Sequence, residues 1–323
     1  MLRDRLISAA VLIAVAATLL WLDVRYPLGG VGGVWLLPLL LFFALGTAFD
    51  LATMLRASGQ PVNRRSILCG TGLVSVAPAV PLLWPLLGWK YPEDCPLGMA
   101  GWVLVGVVAA VFLVLLVEMS GYRAGSKLAL PRTLNGVFAS VYVGVPMALL
   151  VMVRQLEGPQ AFVMGDLAAG ELTGDSGALW GVCALVALIA ATKSSDAGAY
   201  FVGKLAGRRK LIPHLSPGKT WEGAAGGIAT AVAVSYGCAY WLIPQAILTT
   251  APPPWWGPLL FGTACAIAGM AGDLAESMIK RETGVKDSGH WLPGLGGVWD
   301  VTDSLIGAVM PAWVLLAAGM LGS

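Results

Sequence analysis

Charge is scarce in this chain. Of 323 residues, 12% are Asp, Glu, Lys or Arg and 57% are hydrophobic, about half the charge of an ordinary soluble domain. That excludes a soluble globular fold, because so little polar surface cannot cover so much apolar side chain, whereas lipid can. Histidine is nearly missing, at two residues, and cysteine is sparse, at five. Cys69, Cys183, Cys238 and Cys265 lie in apolar stretches and Cys95 in a short loop. Their spacing suits neither a metal site nor a disulfide framework, and they read as free, packed thiols. The net charge of +2 is unremarkable, and no nucleic-acid partner is expected. Met1-Leu2-Arg3-Asp4-Arg5 and the apolar run after it imitate a signal peptide. The run from Leu6 to Leu22 is long for that role and many apolar segments follow, so an uncleaved first span is expected.

What is present is a series of long apolar runs. A bilayer core takes roughly 20 apolar residues per helix, with every backbone group paired inside the segment. On that template the sequence predicts an all-α, polytopic integral membrane protein with about nine transmembrane helices, near 6–22, 28–49, 66–89, 99–118, 134–153, 178–203, 223–243, 257–279 and 298–319. With the N-terminus cytoplasmic, the inner side receives Arg3, Arg5, Arg56, Arg64, Arg65, Arg123, Lys127, Arg132, Lys204, Arg208, Arg209, Lys210, Lys219, Lys280, Arg281 and Lys286. The outer side receives Arg25, Lys90 and Arg154, and Lys193 stays inside a span. Sixteen against three is the positive-inside pattern, and it places the C-terminus outside.

Polar residues are distributed unevenly along the spans. The first five carry almost no ionisable residue in their interiors; Asp50 and Glu118 stand at inner ends and read as interfacial. The sequence therefore divides into an N-terminal scaffold of five helices, 1–177, and a C-terminal catalytic region of four helices with two cytoplasmic loops, 178–323. Span six holds Lys193, Ser194, Ser195, Asp196 and Tyr200; span eight ends with Asp273, Glu276, Ser277, Lys280 and Arg281; span nine opens with Asp300 and Asp303. Ionisable groups at membrane depth are costly unless paired or lining a wet cavity, so function is the default reading. The alternating directions of the spans bring all three sets to the cytoplasmic end. Asp273, Glu276, Ser277 and Lys280 form one helical stripe, and Asp300 and Asp303 share a face. Hard oxygen ligands without a His or Cys cluster favour Mg²⁺ over zinc. Buried ion pairs between helices, or a proton path, are the alternatives.

Two inner loops add phosphate-binding chemistry. The first contains Ser216-Pro217-Gly218-Lys219-Thr220-Trp221-Glu222-Gly223, where backbone N–H groups near a helix start and Lys219 could hold a polyphosphate. It is not a P-loop, because Pro213 stands where that frame opens with glycine. A basic inner loop is also what topology alone would produce. The second runs from Lys280 to Asp300, with three cations (Lys280, Arg281, Lys286), a Lys286-Asp287-Ser288-Gly289 turn and five glycines. Cations beside carboxylates suit a metal–polyphosphate complex. His290 reads either as an interfacial hydrogen-bonding residue or as a catalytic one.

The run from Ser277 to Asp303, with Lys280-Arg281, Lys286-Asp287-Ser288-Gly289, Pro293-Gly294, Gly296-Gly297, Asp300 and Asp303, resembles the signature of the phosphatidate cytidylyltransferase (CDP-diacylglycerol synthase) family. Asp196 to Lys204 and Ser216 to Gly223 resemble its two other recurrent blocks, so the resemblance covers roughly Lys193 to Ala308. It implies transfer of a cytidylyl group from CTP to phosphatidic acid, giving CDP-diacylglycerol and pyrophosphate for phospholipid biosynthesis. It also implies Mg²⁺, with room for a second cation. By motif position Asp273, Asp300 and Asp303 serve the metal. Asp196, Ser216, Lys219, Thr220 and Glu222 shape the nucleotide pocket, and Lys280, Arg281, Lys286 and Asp287 surround the phosphates. The expected setting is a bacterial inner (cytoplasmic) membrane with the site facing the cytoplasm, and a homodimer is compatible with it.

Three positions depart from the family pattern: Leu295 where histidine is usual, Val301 where arginine is usual, and Gly218 where lysine is common. Each removes a polar or cationic group. Normal activity, a changed phospholipid-like acceptor and a weakened paralogue are the open outcomes, and the retained acids argue against the last. A CTP-dependent lipid kinase and a proton- or ion-coupled transporter are the rival functions. The transporter would show polar interruptions in both halves, whereas the first five spans are nearly clean.

Overall fold

A computed structural model describes residues 2–92, 95–125, 127–157, 175–247, 252–285, 288–289 and 291–322. Among these, nine helices are long and apolar enough to cross a membrane: α1 (Arg3–Arg25), α2 (Val34–Ala57), α3 (Arg64–Leu83), α4 (Gly98–Ser120), α5 (Ala129–Arg154), α6 (Leu179–Ala206), α7 (Trp221–Ala246), α8 (Gly257–Thr283) and α9 (Trp299–Ala317). Each expected span has its helix, and the chain is an all-α polytopic membrane protein. The segment at 158–174 lies outside the described residues.

Three local differences have identifiable causes. The second span starts at Val34 rather than near residue 28, because Gly29, Gly30 and Gly33 take φ of 63°, 75° and 92°, a region closed to most L-residues. The Gly33 N–H donates to both carboxylate oxygens of Asp23, at 2.7 and 2.8 Å, which fixes that turn ahead of the helix. The third span is α-helix over Arg64–Val76 and again over Val80–Leu83, with a 3₁₀ turn at Ala77–Ala79 between, and ends at Leu83 rather than near 89. Pro78, Pro81 and Pro85 remove backbone donors there, and 3₁₀ turns at Ala77–Ala79 and Pro85–Leu87 interrupt the helix on either side of Val80–Leu83. The loop after α6 is not irregular: β1 (Lys210–Ile212) and β2 (Ser216–Thr220) form an antiparallel hairpin with Lys210 opposite Thr220 and Ile212 opposite Ser216.

The chain forms two compact units, Met1–Val151 with Ile279–Thr302, and Met152–Met278 with Asp303–Ser323. The expected division near residue 177 follows chemistry; the packing division follows the chain differently, and places the Lys280–Asp300 loop with the first unit.

In the first unit, small residues let α3 approach its neighbours. Gly70 faces Ser140 of α5, Gly106 faces Ala77, and Gly144 faces Val74. Ile67, Val74, Ala110, Val114, Ala139 and Val143 are fully or almost fully buried between these helices, the close small-residue packing typical of membrane bundles. The α1 helix is mostly exposed, as a lipid-facing helix should be. It is held by Arg5 Nε and Ser8 Oγ, each donating at 2.8 Å, to the carbonyls of Gly294 and Pro293 respectively.

In the second unit, α6 and α7 run antiparallel on either side of the hairpin. A Cβ on Gly223 would lie 2.8 Å from the Ala199 carbonyl, and one on Gly227 would lie 2.8 Å from that of Ser195. The α7–α8 contact is equally tight. A Cβ on Gly262 would stand 2.6 Å from Val232 Cα and 2.8 Å from the Ala231 carbonyl. Because backbone cannot step aside, Gly262→Ala should destabilise the protein by about 1–3 kcal/mol. Gly237→Ala, where nothing lies within 4 Å, should not lower the melting temperature. Thermal unfolding of the two variants in detergent checks this.

Candidate active site

Among the described residues, each unit contains a cluster of ionisable side chains built round carboxylates. In the second unit, α6 carries Lys193 and Asp196, α8 carries Asp273 and Glu276, and α9 contributes Asp303 and Ser304. One carboxylate oxygen from each of Asp273, Glu276 and Asp303 lies within 4.8 Å of the others, with Glu276 and Asp303 buried. The i, i+3 spacing puts Asp273 and Glu276 on one face of α8. Gly272 lets α9 come close, since a Cβ there would collide with the Asp303 carbonyl. Asp303 Oδ1 also accepts the Ser304 N–H at 2.6 Å.

Cations flank these acids. Lys219 Nζ pairs with Asp273 Oδ2 at 2.8 Å and reaches the Met270 carbonyl at 3.4 Å. Lys193 Nζ donates to Ser304 Oγ at 2.8 Å and lies 3.6 Å from Asp196 Oδ2. Ser304 Oγ in turn donates to Asp196 Oδ2 at 3.0 Å. Four carboxylates thus share two lysines and a hydroxyl, an arrangement that membrane burial permits only with pairing.

Beside them a cavity of about 360 Å³ is lined by Asp196, Tyr200, Lys204, Lys219, Thr220 and Asp273, among others. The hairpin delivers Lys219 to its wall. Thr220, extended at φ −128° and ψ 156°, caps α7 by accepting the Gly223 N–H at 3.0 Å. Glu222 accepts the backbone N–H groups of Arg208 and Arg209 at 3.0 and 3.1 Å, fixing the turn from α6 into β1. Ser216 sits at the other end of β2, opposite Ile212.

In the first unit, Asp300 at the start of α9 receives Lys280 Nζ on Oδ1. Its Oδ2 accepts Ser288 Oγ and the Gly297 N–H, each at 2.7 Å. Behind this network lies Asp50 of α2, 1% exposed, which accepts the Trp299 N–H at 3.2 Å. A Cβ on Gly289 or on Gly297 would come within 2.5 Å of an Asp50 carboxylate oxygen. These two glycines therefore allow the loop backbone to close around a carboxylate.

Of the residues expected from sequence, Asp273 and Asp303 come together, as do Asp196, Lys219 and Thr220 around the cavity. Lys280 meets Asp300, and Arg281 is exposed on the last turn of α8. Lys286, Asp287 and His290 lie outside the described residues. The sequence places Glu276 on the stripe of α8 without tying it to the metal, and the structure sets it beside Asp273 and Asp303. Lys193 had no assigned role, and Ser304 adjoins an assigned acid. The sequence reads Asp50 as interfacial, and nothing local in it links this residue to a backbone N–H 249 positions away.

The donor set fits a hard divalent cation. Three carboxylates this close repel one another when ionised unless a cation lies among them. Oxygen donors without imidazole or thiolate match Mg²⁺.

The fold and this site define an integral membrane protein with a carboxylate–lysine centre embedded among its helices. Residues 3–318 match the cytidylyltransferase family, and the chain belongs to it. Among curated proteins, phosphatidate cytidylyltransferase of Mycobacterium bovis is 37% identical over 142 residues, 44% of this chain and 42% of that protein. The proteins of that name from Brucella suis biovar 1 and Haemophilus influenzae are 45% identical over 129 residues and 42% identical over 120. These matches span 40% and 36% of this chain, and 45% and 39% of the relatives. The chain thus matches less than half the length of each.

If Asp273, Glu276 and Asp303 hold a divalent ion, Mn²⁺ should bind the purified protein with a signal visible by electron paramagnetic resonance. Glu276→Gln should weaken that binding by roughly 10-fold or more, as loss of a charged ligand does. Unchanged affinity in Glu276→Gln and Asp303→Asn alike would remove the assignment.

Proposed function

We propose that this protein transfers a cytidylyl group from CTP to phosphatidic acid. A phosphate oxygen of the lipid attacks the α-phosphorus of CTP; the bond to the α,β-bridging oxygen breaks, and pyrophosphate leaves with the electron pair. The product is CDP-diacylglycerol. The observation that carries this reading is the carboxylate triad of Asp273, Glu276 and Asp303 beside a cavity walled by Lys219, in a chain that belongs to the cytidylyltransferase family. The names of the relatives support phosphatidate as the acceptor.

The chemistry asks little of a general base, because a lipid phosphate is already anionic. The difficulty is bringing two anions together and stabilising an in-line displacement, which positioned cations accomplish. Mg²⁺ bound by the triad would supply charge neutralisation of the polyphosphate. Lys219 and Thr220, presented by β2, and Asp196 of α6 shape the nucleotide pocket. Ser216 and Glu222 hold the hairpin that carries Lys219. Asp300 orients Lys280, and Lys280, Arg281, Lys286 and Asp287 handle the phosphates. The distribution of Lys and Arg supports a cytoplasmic N-terminus and a site facing the cytoplasm of a bacterial inner membrane, where soluble CTP and a membrane lipid are both within reach.

Purified full-length protein given Mg²⁺, CTP and phosphatidic acid should release pyrophosphate and form a CDP-lipid in equal amounts. Asp303→Asn should lower the rate by roughly 100-fold or more, the effect expected when several kcal/mol of charge stabilisation is lost, while its elution profile stays that of the folded protein. Appearance of the γ-phosphate on the lipid with release of CDP would instead identify a CTP-dependent kinase.

A further inference from the structure

The centre of the second unit carries more negative charge than one divalent ion balances. Asp196, Asp273, Glu276 and Asp303 bring four carboxylates together, enough for two divalent ions set ~4 Å apart, as in two-metal polymerase and nuclease sites. Two lysines reduce that charge, and they are placed differently. Lys219 arrives on the hairpin, lines the cavity and pairs with Asp273, so it stands on the nucleotide side. Lys193 stands near the middle of α6 and is not among the described residues that line the cavity.

A lysine within a span ordinarily extends toward the interface. Lys193 turns to α9 instead. Its Nζ lies 2.8 Å from Ser304 Oγ and 3.6 Å from Asp196 Oδ2. An ammonium group only donates, so the Ser304 hydroxyl accepts from Lys193 and directs its own proton to Asp196 Oδ2, at 3.0 Å. The Ser304 N–H holds Asp303 Oδ1 at 2.6 Å. One residue of α9 thus ties the ammonium to Asp196 and to an acid of the metal triad. The next lysine along α6, Lys204, lies three helical turns further on, ~16 Å away along the axis. Its ammonium sits over the Tyr200 ring, 5.8 Å from the centroid, and serves a different place.

We propose that Lys193 is the second cation of this centre: its ammonium supplies the charge a second metal ion would otherwise bring, so that Asp273, Glu276 and Asp303 hold one divalent ion and not two. The inference rests on the reading of that triad as the metal site. With both lysines charged, the four carboxylates keep two uncompensated negative charges, which one divalent ion balances. A cation fixed to the chain also needs no capture from solution.

Mn²⁺ titration of the purified full chain reads this without turnover, by electron paramagnetic resonance and by equilibrium dialysis, counted above an Asp273→Asn, Asp303→Asn background. Wild type should bind one ion, with the sharp spectrum of an isolated centre. Lys193→Met, which keeps the apolar stem and removes the charge, should bind two, and the spectrum should broaden because the ions lie ~4 Å apart. Lys193→Gln, which can still donate to Ser304, should do the same and serves if the Met variant is unstable. Lys193→Arg should bind one. Lys193→Met combined with Asp196→Asn, which removes a negative charge as well, should return to one. A lysine that merely braced α6 against α9 would leave the count at one throughout. The proposal is overturned if wild type binds two ions, or if both neutral Lys193 variants bind one. Wild type that binds none would remove the metal site and this assignment together. The expected counts in a protein that makes no CDP-lipid would overturn the transfer reaction and leave the assignment in place.

Discussion

Carboxylates and ammonium groups inside a bundle of membrane helices must neutralise one another, and in the second unit this requirement organises everything nearby. Lys219 reaches Asp273 only because a two-stranded hairpin, and not a floppy connection, leads from α6 back into α7. The hairpin is in turn locked at both ends, by the Glu222 carboxylate on two backbone N–H groups and by the Thr220 cap on α7. Glycines at 223, 227, 262 and 272 remove the side chains that would keep the helices, and hence the charges, apart. Without close helix approach, the pairing of Lys193 with Ser304 and Asp196 would open to lipid, where neither charge is tolerated.

The first unit solves a related problem in a different way. Asp50 and Asp300 are carboxylates wrapped largely by backbone and hydroxyl donors, with Lys280 as the cation on Asp300. The glycine-rich stretch between α8 and α9 is what makes such wrapping possible, since any side chain at 289 or 297 would occupy the space of the Asp50 carboxylate. Glycines that looked, from their chemistry alone, like openings for a ligand serve here as openings for another part of the same protein.

The nine helices were legible because hydrophobic length is a strong local signal, and the acids of α8 and α9 because polar residues stand out in apolar runs. The start of α2 and the end of α3 differ from the apolar runs for the opposite reason: glycine and proline stop a helix without lowering its hydrophobicity. The α2 helix runs on to Ala57 because polar residues such as Asp50 end an apolar run without ending a helix. The hairpin at 210–220 is short and polar and carries no alternation to betray it. The burial of Asp50 is not legible in the sequence because it depends on a partner 249 positions away, a relation that a single sequence does not encode. Glu276 shows the intermediate case: its place on the face of Asp273 was evident from spacing, but its partnership with Asp303 required the packing of α8 on α9.

The α1 helix is pinned by hydrogen bonds from Arg5 and Ser8 to the carbonyls of Gly294 and Pro293, 289 and 285 positions further along, so it docks on a loop that the ribosome makes long after it. At ordinary elongation rates the interval between the two is on the order of tens of seconds. During that time α1 resides in the bilayer without its eventual partner, anchored by hydrophobicity alone. The loop at 293–294 therefore captures a segment already waiting in the membrane, and the quality of α1 insertion sets whether that loop finds its brace.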